Sequence, residues 1–181
     1  MKNPFLVGES IYLRPLEQED AAQLAAWLND REVTRTLLVH RPINRAGEER
    51  YLEQIAQSEN DVNLGIARRD DALIGVTGLS ALDTKNRHAS FGIFIGDKTQ
   101  WGKGYGSEAT QLMVGYAFDT LNLNKVWLHV IEHNERALRA YERVGFRREG
   151  LLRDHVFVEG RYWAEVVMSL LREDWQRARA G

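Results

Sequence analysis

The 181-residue chain has no cysteine, so it has neither a disulfide framework nor a thiol nucleophile. It also lacks any stretch near the roughly 20 apolar residues that a bilayer crossing needs. The start, MKNPFLVGES, has no cationic end leading into a long apolar run, which argues against a secretory signal. Charge of one sign is missing too. The formal net charge of -2 gives no basic footprint for nucleic acid. Repeats, low-complexity tracts and linkers are absent. Five histidines, His40, His88, His129, His133 and His155, are scattered without a convincing ligand spacing. His129 and His133 are four apart but straddle an expected strand end, where that spacing does not bring them to one face. These absences predict a cytoplasmic globular protein with no metal, membrane or nucleic-acid partner.

What is present suits one enzyme-sized domain over residues 1–181. The apolar share is 44% and the charged share 28%, enough for one core without covalent help. Residues 10–16 read as a strand closed by Pro15, and 17–29 as a helix with Leu24, Trp27 and Leu28 at helical spacing. Residues 31–43 are mixed, and 46–58 form a second amphipathic helix on Tyr51, Leu52 and Ile55. Period-two alternation then marks strands at 62–67 and 72–82, joined by a turn at Asp70-Asp71, and another at 89–96. A glycine-rich stretch opens a helix over 105–121. A strand at 125–131, a helix at 134–144 and two strands around Glu159-Gly160 complete the order. Strands 89–96 and 125–131, joined through a helix, are expected to run parallel. The predicted fold is α/β: a mixed, mostly antiparallel sheet of six to seven strands with helices on both faces.

Trp101-Gly102-Lys103-Gly104-Tyr105-Gly106-Ser107-Glu108 is the most informative segment. Its glycines remove side chains that would hold a ligand off the backbone. Successive N–H groups at the positive end of a helix dipole form a site for phosphate oxygens, and Lys103 adds charge. A Walker loop is excluded, since no Gly-Lys-Ser/Thr ending follows. A dinucleotide fingerprint needs G-x-G-x-x-G on a parallel start; here the spacing is G-x-G-x-G and hairpin strands come first. A packing turn with no ligand also fits this segment taken alone, and Glu108 suits the helix dipole either way.

The second segment runs from Val130 to Phe146. Asn134 is a good N-cap, Ala137, Ala140, Tyr141 and Val144 form a stripe, and Gly145 stops the helix. Local grammar explains these residues without any catalytic role, including Tyr141 as a core tyrosine.

Together, the two segments resemble the GNAT superfamily of N-acetyltransferases: strand, x-x-G-x-G, helix, then strand, Asn-x-x-Ala-x-x-x-Tyr-x-x-x-Gly-Phe. The resemblance covers nearly the whole chain. It includes Leu13-Arg14-Pro15-Leu16 with Glu19-Asp20 at the start, and Glu149-Gly150, Gly160-Arg161-Tyr162 and Met168 at the end. WGKGYG is most similar to the branch that contains ribosomal-protein N-terminal and spermidine acetyltransferases. Trp101 departs from the Gln or Arg usual at that place.

The resemblance implies acetyl-CoA as co-substrate, lying where the sheet splays between strands 89–96 and 125–131. Pantetheine would pair with Ile93, Phe94 and Ile95. Pyrophosphate would sit at Trp101, Gly102, Lys103, Gly104, Tyr105, Gly106 and Ser107, with Asn134 on the pantetheine arm and Arg139 on a phosphate. Tyr141 would protonate the leaving thiolate. With no cysteine for an acyl-enzyme, direct transfer to a small-molecule or peptide amine is expected. Polyamine, aminosugar and protein N-terminus all stay open as acceptors. Glu132 and His88 are candidates for the base, each read equally well as a surface residue; Glu165 is a third, although on a closing strand it is also expected to pair with an arginine, and none is singled out. Residues 27–60, with Trp27, Arg35 and Tyr51, would line the acceptor side, and a monomer or homodimer is expected. The rival reading is an acyl-CoA-binding sensor or scaffold of the same fold without turnover.

Overall fold

The computed structural model describes residues 1–180. Eight strands form one sheet in the order β1-β2-β3-β4-β5-β6-β8-β7. They are β1 Leu6–Val7, β2 Ile11–Pro15, β3 Val62–Arg68, β4 Leu73–Asp83, β5 His88–Ile95, β6 Lys125–Ile131, β7 Arg147–Val158 and β8 Arg161–Leu171. Six helices accompany them: α1 Ala21–Asn29, α2 Arg31–Thr34, α3 Arg45–Ala56, α4 Tyr105–Gly115, α5 Glu135–Val144 and α6 Arg172–Ala180. Only β5 and β6 pair in parallel; every other neighbouring pair is antiparallel. The α4 crossover imposes that orientation.

Three details depart from the sequence expectation. The eighth strand is β1, whose two residues pair Leu6 with Leu13 and Val7 with Tyr12, too short to leave a periodic signal. The helix expected over 105–121 changes to a π-helical turn at Tyr116–Thr120. α6 was not expected at all, because its residues are mostly charged. It is anchored by Trp175 against Phe118, with ring centroids 6.3 Å apart, and by Arg179 Nη1 on Asp119 Oδ2 at 2.9 Å.

Alternation along the strands sorts the core into two layers. Val126, Leu128 and Val130 of β6 join Met113, Val114 and Phe118 from the α4 segment and Leu138 and Val144 of α5 in the larger cluster. Leu138, outside the expected α5 stripe, is its most central member there; Ala137, Ala140 and Tyr141 lie at the edge and face a cleft. On the other side, Ala21 and Leu24 of α1 and Leu52 of α3 pack with Trp27, Val76 and Phe94 in a smaller cluster.

The junction of β2 and α1 rests on a buried ion pair. Arg14 Nη1 and Nη2 donate to Asp20 Oδ2 and Oδ1, both at 2.8 Å, with side chains only 5% and 12% exposed. Burial acts to raise the Asp20 pKa, but the Arg14 hydrogen bonds and the Glu17 N–H outweigh it and hold the carboxyl below its ordinary value. Asp20→Asn leaves Arg14 buried and uncompensated and should cost about 3 kcal/mol, the low end for a broken buried pair because Pro15 O still accepts from Nη1. The pair's contribution is present above the unfolded carboxyl pKa of about 3.9 and is lost as pH falls through the lower folded value. Denaturant melts of the two proteins at pH 7 and pH 3 should show the gap between them narrowing in acid.

Candidate functional site

The parallel ladder between β5 and β6 is short. It joins His88–Lys125, Ala89–Val126 and Ser90–Trp127, then stops, although β5 continues to Ile95 and β6 to Ile131. β6 stays paired with β8 along its whole length and β5 with β4, so the strands separate without either losing its outer neighbour. Phe91, Tyr141 and Phe146 fill the vertex, with Phe91 and Tyr141 edge-to-face at 6.1 Å and Tyr141 and Phe146 at 5.8 Å. A cavity of about 700 Å³ opens between the strands and is lined by Phe91 through Ile95 on one side and by His129, Val130 and α5 on the other.

The far end of β5 is fixed. Trp101 Nε1 donates to Ile95 O at 2.8 Å. The Gly96 and Asp97 N–H groups both donate to Ile74 O, at 2.9 and 3.1 Å. Trp27 lies against Gly96, leaving no room for a Cβ, and meets Phe94 edge-to-face at 6.5 Å. Trp27 thus braces β5 and does not line the cavity.

The glycine turn closes one end of the cavity. Gly102 and Gly104 have φ of +77° and +86°, a region that disfavours side chains, and a Cβ on either would meet no protein atom. The first α4 bond runs from Glu108 N to Gly104 O at 3.0 Å, and Gly104 supplies no side-chain cap. The N–H groups of Tyr105, Gly106 and Ser107 therefore have no helical acceptor. Trp101, Gly102, Gly104, Tyr105, Gly106 and Ser107 all line the cavity. Lys103 does not; its ammonium donates to Gln100 Oε1 at 3.1 Å. Glu108 has a packing role, its Oε1 accepting from Ser10 N at 2.8 Å and tying α4 to the start of β2.

α5 forms the opposite wall. Asn134 Oδ1 accepts from Ala137 N at 3.2 Å, which leaves its amide NH₂ to face the cavity. Tyr141 lines the cavity, and burial pushes its phenol pKa up to about 12. Arg139 points away and pairs with Glu135 at 2.8 Å on the exposed side of the helix. The arginines in the lining are Arg136 and Arg143, and the Arg136 guanidinium lies 4.5 Å from the Trp101 ring centroid. Helical spacing carried that signal, since 136, 140 and 143 fall on the face that holds Ala137 and Tyr141.

Arg35 lines the same cavity. Tyr51 lines a second, apolar cavity of about 390 Å³ between α1, α3 and the sheet, which adjoins the first along Gly92, Ile93 and Phe94. Glu48 is buried in its wall, and that burial raises its carboxyl pKa. Of the groups considered as a base, His88 sits at the closed end of the splay, 3.8 Å from Asp83. Glu132 Oε1 accepts from Ala164 N at 3.2 Å. Glu165, expected to meet an arginine, lies between two imidazoles, His129 Nδ1 at 3.4 Å and His155 Nε2 at 3.6 Å. His133 also lines the cavity; burial, then Arg35, lowers its pKa. No helix among the described residues is long and apolar enough to cross a membrane.

This geometry agrees with three comparisons. A sequence model of the acetyltransferase (GNAT) domain matches residues 10–147. The uncharacterized N-acetyltransferase p20 of Bacillus licheniformis is 32% identical over 178 residues, covering 94% of this chain and 97% of that protein. The spermidine N(1)-acetyltransferase of Escherichia coli K12 is 30% identical over 168 residues, covering 93% and 89%. Among solved structures, spermidine N-acetyltransferase from Vibrio cholerae in complex with CoA and spermine superposes with a TM-score of 0.87 at 26% identity, over 93% of this chain and 99% of that one. With a splayed sheet, an uncapped glycine turn and relatives matched over nearly their full length, this chain belongs to the GNAT family and is an N-acetyltransferase.

Proposed function

We propose that the chain moves acetyl from acetyl-CoA directly onto a primary amine of a polyamine, aminosugar or protein N-terminus. The observation that carries this reading is the open edge of β5 from Phe91 to Ile95, which faces the cavity and leads to the uncapped start of α4. Unpaired strand groups inside a sheet call for a partner with alternating donors and acceptors, which the two amides of pantetheine supply. Ile93, Phe94 and Ile95 are the pairing residues. The empty space over Gly102 and Gly104, with the free N–H groups of Tyr105, Gly106 and Ser107, suits a pyrophosphate. Arg136 and Arg143 supply countercharge from α5, and the Asn134 NH₂ donates to a pantetheine carbonyl.

Transfer then needs three things. The amine must be neutral to attack. A β5 N–H near Phe94 or Ile95 stabilises the oxyanion that forms on the thioester carbonyl. The departing sulfur needs a donor, and Tyr141 fills that role. Its phenol, raised to about 12, stays protonated throughout the physiological range. A thiolate of ordinary pKa about 8.5 in the same dry vertex rises for the same reason, which keeps the two proton affinities from separating widely.

Tyr141→Phe should lower kcat by about 10²-fold or more while leaving acetyl-CoA affinity within about twofold, measured by thiol release and by calorimetry. Unchanged turnover would remove the phenol from the reaction. Gly104→Asp strains the turn and puts a carboxylate into the phosphate space. It should weaken acetyl-CoA binding by about tenfold or more, with ATP and NAD weak towards both proteins. Equal binding to the two proteins would detach the glycine turn from the cofactor.

A further inference from the structure

The register of the sheet assigns the acceptor side of the cleft its own proton-handling group. Directly paired residues on neighbouring strands share a face. His129 pairs with Val167 and Ile131 with Glu165, so His129 and Glu165 project from the same face of the sheet. Val126, Leu128 and Val130 project from the other, into the cluster that holds α4 and α5. Tyr141 belongs to that α5 layer, and Phe94 to the α1/α3 layer. Gly92 shares the Phe94 face, and a Cβ there would meet no atom within 4 Å. An amine entering over Gly92 thus meets the thioester from the side that carries His129. The leaving sulfur departs towards Tyr141 on the opposite side.

Glu165 is 6% exposed, and its carboxylate lies 3.4 Å from His129 Nδ1 and 3.6 Å from His155 Nε2; no arginine or lysine pairs with it among the described residues. A buried carboxylate without a partner is costly, so it demands an N–H from these rings. When His129 donates Nδ1–H to Glu165, the neutral ring presents the Nε2 lone pair. His129, 35% exposed, lines the cavity, and His155, 51% exposed, meets solvent. The three groups run from cleft to buried carboxylate to water.

We propose that His129 is the catalytic base for the acceptor amine, with Glu165 as its positioning residue and His155 as the exit to solvent. This rests on the transfer reaction proposed above. The amine nitrogen bonds to the carbonyl carbon, and the carbon–sulfur bond breaks with its electron pair on sulfur. The surplus proton on nitrogen moves to His129 Nε2 and leaves by Glu165 and His155. Sulfur receives its proton from Tyr141, and the phenolate left behind takes one back from water, so the proton released through His155 is balanced and the enzyme returns to its starting state. Other charged or titratable groups bordering the same cleft are Glu32, Arg35, Tyr105, His133, Glu135, Arg136 and Arg143.

The test pairs kinetics with a readout that needs no acceptor. Thiol release is followed against pH with spermidine and with an alanine-initiated peptide, for the wild type, His129→Gln and Glu165→Gln. His129→Gln should lose about 10²-fold or more in kcat/KM near neutrality and recover towards alkaline pH, where the amine is neutral unaided, with acetyl-CoA affinity and melting temperature kept. Glu165→Gln should lose kcat/KM in the same direction as His129→Gln, because the ring is no longer held with its Nε2 lone pair towards the cleft. In parallel, NMR titration with acetyl-CoA should show the His129 ring signals moving, and the ring nitrogen shifts should report the Nδ1–H tautomer in the wild type and lose that preference in Glu165→Gln. A wild-type pH profile in His129→Gln overturns the proposal. So do His129 signals indifferent to both Glu165→Gln and acetyl-CoA. Acetyl-CoA binding with neither amine acetylated by the wild type would instead count against the proposed transfer, and the titration would still decide the His129–Glu165 pairing.

Discussion

The molecule is organised around a gap in its own sheet. Backbone N–H and C=O groups inside a fold are almost always paired, yet β5 and β6 part after three residue pairs and leave facing edges open. The gap persists because each strand is held from outside, β5 by β4 and β6 by β8. An aromatic wedge of Phe91, Tyr141 and Phe146 then fills the vertex. Trp27 on Gly96 and the Trp101 indole on Ile95 O keep the tip of β5 from drifting back. The fold closes around a row of open strand groups, and the proposed pairing with pantetheine would occupy that row.

The two faces of the sheet give the gap two chemical environments. The α4/α5 side is dense and apolar, and the Tyr141 phenol there is a weak acid that holds its proton. The α1/α3 side has the open space over Gly92, the second cavity and the histidine pair on Glu165. A reaction that needs a proton taken from nitrogen and one given to sulfur gains from such a division, since a base and an acid in one shell would neutralise each other. The place proposed for the pyrophosphate is a third one, the glycine turn, whose free N–H groups and nearby Arg136 are already in position in the fold.

The glycine turn, the α5 cap and the parallel crossover were legible in the sequence because each depends on local rules. Positive φ wants glycine, an N-cap wants Asn, and a helix between strands fixes their direction. The splay itself was legible only through family resemblance, since no periodicity says where two strands stop pairing. Arg139 illustrates the limit within a helix: sequence gives an arginine near the Asn134 end, but only the cleft shows that 136 and 143 face it while 139 meets Glu135. Trp27 reads as an acceptor-side aromatic until Gly96 is seen beneath it. The His129–Glu165–His155 cluster gathers residues from three strands, a juxtaposition set by register and a bulge in β7 that no linear pattern encodes. The missed α6 has a similar cause, because its few apolar contacts are tertiary and its own composition is polar.

Everything proposed for the cofactor depends on the open β5 edge being the ligand's edge. Amide hydrogen exchange with and without saturating acetyl-CoA reads that edge directly. Added protection is expected on alternate amides between Phe91 and Ile95 and on Tyr105, Gly106 and Ser107, with little change in β3 and β7. Protection confined to other strands, or none on β5 at saturation, would contradict it.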